Sequence, residues 1–100
     1  MKNHTKTYFK ALGYDTGDPT QFIPSEWSGN TAKDIHHIVD RTDRIENLMA
    51  LTRMEHHDMG DKKIYMVSLL MAHRQFLKEN NVPFENEWFE ENIRKYDGQS

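Results

Sequence analysis

The chain has 100 residues, a formal net charge of −3 and no cysteine, with 36% apolar and 29% charged residues. That makes one small domain, too apolar for a disordered chain and too short for two cores. No apolar run is long enough to cross a membrane, and the missing cysteines exclude disulfides and thiolate chemistry.

The start, Met1-Lys2-Asn3-His4-Thr5-Lys6, has no apolar stretch behind it, which argues against a secretory signal. Nucleic-acid binders are usually basic, so the acidic balance argues mildly against one; a bound cation can reverse the sign at a site. Small domains often rely on a metal or a partner chain. The candidates for such support are carboxylates and six histidines, four of which form two adjacent pairs.

Thr5 to Leu12 reads as a short helix, with Gly13 as a left-handed stop. Tyr14 to Ser28 has loop composition, and Gly29-Asn30 signals a turn before a strand over Ala32 to Ile38. Asp40 to Glu46 is a charged loop. Leu48 to Leu51 reads as a second strand, although four apolar residues fit a helix as well. A helix begins near Thr52, a candidate N-cap with Glu55 three residues on, and Gly60 ends or kinks it.

Asp61 to Asn80 is the longest predicted helix, with Asp61 as its N-cap. Met66, Leu69, Leu70, His73, Phe76 and Leu77 form its apolar stripe, which makes His73 a core histidine. Glu85 to Tyr96 is the last helix, facing inward through Trp88, Phe89, Asn92, Ile93 and Tyr96. Met49, Met54, Met59, Met66 and Met71 read as core filling, and His4 as solvated. The predicted class is α+β, mostly helical, with a two-stranded antiparallel hairpin.

The informative stretch is His36-His37-Ile38, then Asn47-Leu48, then His56-His57. A hairpin packed on a helix brings these ends together. Imidazoles there would suit a divalent ion such as Mg²⁺, Mn²⁺, Ni²⁺ or Zn²⁺. Adjacent strand residues point to opposite faces, so His36 and His37 should have different tasks, one on the metal and one elsewhere. An unligated imidazole beside a metal and a phosphodiester suits general-base catalysis near neutral pH. Asn47, by its side chain or its carbonyl, is the candidate to orient it.

His36-His37-Ile38, Glu46-Asn47-Leu48-Met49-Ala50-Leu51 and His56 together resemble the HNH endonuclease family, on the ββα-metal (His-Me) finger. The motif occupies residues 32–60, with helical flanks over 5–12, 61–80 and 85–96, in a single domain. The resemblance implies that His36 and His56 are metal ligands, His37 is the general base and Asn47 orients it. It implies metal-dependent hydrolysis of DNA, leaving 5′-phosphate and 3′-hydroxyl ends. His57, Arg41, Arg44 and Arg53 are the further candidates for supporting the site or contacting DNA. Asp58 and Asp61 lie near enough in sequence to be third ligands, with capping the preferred reading of Asp61.

Many members of the family carry a structural zinc held by two Cys-x-x-Cys knuckles. The matching positions here are Ser25, Ser28, Thr52 and Glu55, a poor zinc set because only Glu55 is anionic. No structural zinc is therefore expected, although such an ion can contribute roughly 10–16 kcal/mol to a small domain. Packing of Trp27 on Met54 is the expected substitute.

DNA is the expected partner, with a second protein that delivers the domain to it, and the resemblance suggests the cytoplasm of a bacterial or phage-infected cell. The competing readings are a non-catalytic HNH-like module that docks on DNA or protein, and a helical interaction protein with incidental histidines.

Overall fold

The computed structural model describes residues 1–98, an α+β domain of four helices and a two-stranded antiparallel sheet. Helix α1 covers Asn3–Leu12 and ends where Gly13 adopts φ 79°, a conformation that costs a residue without Cβ least. It starts two residues earlier than the sequence suggested, which places His4 in its first turn.

Strands β1 (Asp34–His37) and β2 (Leu48–Leu51) pair with His36 opposite Met49 and His37 opposite Leu48. β1 is shorter than predicted because the chain before it pairs elsewhere: the Ala32 N–H donates to the Ile23 carbonyl. β2 is apolar throughout because it is buried on both faces. Leu48 and Ala50 join Tyr8 and Ile23 on the α1 side. Met49 and Leu51 join Leu69, Leu70, Leu77 and Phe89 on the other. A continuous apolar run thus forms a strand with a core on each side.

Thr52 caps the next helical segment, α2, over Arg53–Glu55, with the reciprocal bonds of a capping box. The segment continues as a single π-turn, His56–Gly60. A turn plus a 3-10 segment, Lys63–Tyr65, then leads into α3 (Met66–Glu79), on which α4 (Asn86–Tyr96) packs. Asp61 is therefore not the cap of the long helix, as its sequence position had suggested. Among the described residues no helix is long and apolar enough to cross a membrane.

Hydrogen bonds join Ser25, Ser28, Thr52 and Glu55, the positions matched above to the zinc knuckles. The Ser25 hydroxyl donates to Glu55 Oε1 at 2.5 Å and accepts from the Trp27 and Ser28 N–H groups at 3.1 and 3.2 Å. Burial pushes the Glu55 carboxyl up, but hydrogen bonds from Ser25, Ser28 and Thr52 outweigh it and hold the group below its ordinary value.

Glu26 lies inside the same turn. It accepts from the Tyr8 hydroxyl at 2.6 Å, the Ala50 N–H at 3.3 Å and His73 at 2.6 Å. Trp27 and Met54, expected to pack together over this site, are instead 44% and 74% exposed. Met71 is also exposed, and of the five methionines read as core only Met49 and Met66 are buried.

Candidate functional site

β1 separates its two histidines as a strand must. His36 is buried and meets the π-turn, its ring centroid 4.5 Å from that of His56. The ligand atoms of His36, His56 and Asp61 all lie within 4.8 Å of one another. Two imidazoles and a carboxylate are a donor set that a divalent transition-metal ion accepts. Asp61 is the member that sequence reasoning set aside. Its value as a ligand becomes visible only once the chain turns at residue 61 instead of starting a helix.

The surroundings orient both rings. A carboxylate accepts only, so His56 donates from Nδ1 to Asp34 Oδ2 at 3.1 Å and keeps the Nε2 lone pair free. Asp34 also accepts from Arg53 at 3.3 Å. Burial pushes the Asp34 carboxyl up, but these hydrogen bonds outweigh it and hold it below its usual value. A carboxylate behind a ligating imidazole fixes its tautomer and raises its basicity.

His36 donates from Nε2 to the Gly60 carbonyl at 2.7 Å, which leaves Nδ1 as its acceptor. A cation therefore meets this ring at Nδ1 or takes the place of the Nε2 proton. Burial, followed by the nearness of His56, lowers the His36 pKa and favours the neutral ring that a metal needs.

Gly60 is required here by close approach. A Cβ on it would lie 2.6 Å from His56 Cδ2 and 3.2 Å from His36 Cε1. The π-turn presents the Gly60 carbonyl to His36, one of the local distortions common at functional sites.

His37 points the other way. It donates from Nε2 to Asp43 Oδ1 at 2.9 Å, which leaves Nδ1 as the acceptor. His4 lies against it, with ring centroids 4.6 Å apart. The expectation of a solvated His4 is thus corrected: burial, then the neighbouring His37, lowers its pKa.

Asn47, proposed to orient the base, is fully buried and secures the loop instead. Its side-chain oxygen accepts from the Val39 N–H, and its amide donates to Asp40 Oδ1 and to the Asp40 and Thr42 carbonyls. Its own carbonyl accepts from the Ile38 N–H at 2.9 Å. Asn47 therefore shapes the loop that carries Asp43, and Asp43 is the group on the His37 ring. The signal for Asp43 was absent from the sequence, where it is one of several charges in a polar loop.

An open cleft of about 1040 Å³ is lined by His4, His36, His37, His56 and Asp61. Lys2, Lys33, Arg41, Arg53 and Lys63 also line it. Of the arginines singled out, Arg41 and Arg53 reach the cleft. Arg44 does not: it pairs with Glu46 at 3.1 Å and Glu85 at 3.0 Å and lies over the Trp88 ring. His57 is 86% exposed, bonded to the adjacent Asp58, and outside the cleft lining. Comparison with protein-family models, with curated proteins and with solved structures found no match.

Proposed function

We propose that the chain is a metal-dependent DNA endonuclease of the HNH type. The observation that carries this reading is the division of labour at the end of β1. His36 faces His56 and Asp61, His37 faces Asp43, and the three imidazoles line one cleft.

The reaction is hydrolysis of a phosphodiester. His37 Nδ1 takes a proton from the attacking water as its oxygen bonds to phosphorus. The bond from phosphorus to the 3′ oxygen breaks, and that oxygen takes a proton from solvent, leaving 3′-hydroxyl and 5′-phosphate ends. Asp43 holds the His37 ring in the tautomer that leaves Nδ1 free. A divalent ion on His36, His56 and Asp61 would supply positive charge to the phosphate and the departing oxygen.

The cleft favours an anionic substrate although the chain is acidic overall. Its lining carries five Lys or Arg (Lys2, Lys33, Arg41, Arg53, Lys63) against three Asp (Asp34, Asp40, Asp61), in a chain of net charge −3. Phosphate contacts of this kind position the backbone without reading sequence, and their affinity falls steeply with salt. Low sequence specificity follows.

The test is cleavage of an end-labelled DNA duplex at low salt. Cleavage should need a divalent metal, stop in EDTA, leave 5′-phosphate ends and be lost in a folded His56→Ala protein. Cleavage that persists in EDTA and in His56→Ala would contradict the proposal.

A further inference from the structure

We infer a second transition-metal site, formed by His4, His37 and Asp43, whose occupation switches the nuclease off. The ligand atoms of these three residues all lie within 4.8 Å of one another. They come from three separate elements: the first turn of α1, the end of β1 and the loop before β2. Their convergence is thus a product of the fold rather than of neighbouring positions in the chain.

His37 and Asp43 are already within 2.9 Å, and the His4 ring lies 4.6 Å from that of His37. Two imidazoles and one carboxylate, with room for solvent in the open cleft, make a three-ligand set with a free position. Imidazole selects ions such as Zn²⁺ or Ni²⁺ over Mg²⁺, which prefers oxygen ligands.

The regulatory part rests on the proposed role of His37; the metal site does not. The nitrogen nearest Asp43 is Nε2. A cation there uses the Nε2 lone pair, so the one proton of the neutral ring must sit on Nδ1. That is the atom required to accept the proton of water. The same ion also engages Asp43. Excess Zn²⁺ would therefore inhibit a reaction that Mg²⁺ supports by occupying the base, an effect separate from any exchange of ions on His36 and His56.

The test is a Zn²⁺ titration of the full chain by calorimetry, with circular dichroism as the check on folding. Wild type should bind two equivalents. His4→Ala and Asp43→Asn should each lose one, and His56→Ala should lose the other. In duplex cleavage with Mg²⁺, His4→Ala should need at least tenfold more Zn²⁺ for half-inhibition, each protein being compared with its own uninhibited rate.

A single equivalent in wild type that vanishes in His56→Ala would overturn the second site. So would unchanged binding in both His4→Ala and Asp43→Asn. Two equivalents that respond to these variants, in a chain without cleavage activity, would uphold the site and contradict the nuclease instead.

Discussion

Glu26 and His73, 47 residues apart, form an ion pair whose side chains are both fully buried, with Nδ1 2.6 Å from Oε1. The other ring nitrogen of His73 donates to the Ile45 carbonyl at 2.7 Å, so both nitrogens donate and the ring carries charge. Burial pulls the His73 pKa down, but Glu26, the bond to Ile45 and the nearby Glu46 outweigh it and raise the pKa above its ordinary 6.5. This pair fastens the turn of residues 25–28 to α3.

The pair makes stability depend on pH. A raised imidazole pKa stabilises the fold fully below the unfolded value of 6.5 and loses that contribution as pH rises through the folded value. Denaturant melts should therefore show stability falling above pH 6.5. Glu26→Gln should flatten this slope and cost about 3–5 kcal/mol near pH 6, because the buried imidazolium loses its counter-charge.

Ser25 and Glu55 predict the opposite pH response. The lowered Glu55 pKa contributes stability above the ordinary 4.5, and the contribution is lost as pH falls through the folded value. Ser25→Ala should destabilise by about 1–3 kcal/mol, since it removes a buried hydroxyl bonded to a carboxylate. Elemental analysis of a His4→Ala, His36→Ala, His56→Ala triple variant, which lacks ligands from both candidate metal groups, should find no stoichiometric zinc. Tightly held zinc there would contradict the polar closure.

Gly60 and Asp34 test the geometry around His56. Gly60→Ala places a methyl group within 2.6 Å of the His56 ring and must displace it. Asp34→Asn keeps the shape of the side chain but removes the charge behind the imidazole. Each should weaken metal binding about 10–100-fold, read as a smaller metal-induced rise in melting temperature. An unchanged rise in both variants would remove His56 from the ligand set.

Asn47 and Asp43 separate loop shape from ring orientation. Asn47→Ala leaves the Val39 N–H and two carbonyls without their partner and should cost about 1–3 kcal/mol of stability. Asp43→Asn lies in an exposed loop and should leave the melting temperature nearly unchanged while lowering the cleavage rate. Asp43→Asn activity equal to wild type would leave His37 without its orienting group.

The sequence makes some of these relationships legible and hides others. β2 could be placed because its apolar run fits a strand covered on both faces, and α3 because its stripe repeats every three or four residues. His36, His37 and His56 stand out because adjacent strand residues face opposite ways and because the step from Asn47 to His56 resembles the HNH pattern. Asp61, Asp43 and His4 do not stand out. Each acts through a contact with another element, and each has an ordinary local reading as a cap, a loop charge or a solvated end. The closure of the turn over residues 25–28 was not legible, because the hydrogen bonds that Glu26 and Glu55 accept have no characteristic spacing.

The most direct test is nicking of supercoiled plasmid at low salt by wild type and His37→Ala, with Mg²⁺, Mn²⁺, Ni²⁺, Zn²⁺ or EDTA. Wild type should nick with at least one metal and not in EDTA, and a folded His37→Ala protein should lose that activity. Equal nicking by both proteins would contradict His37 as the base. No nicking by a folded wild type that still gains stability from metal would contradict the nuclease and favour a docking module.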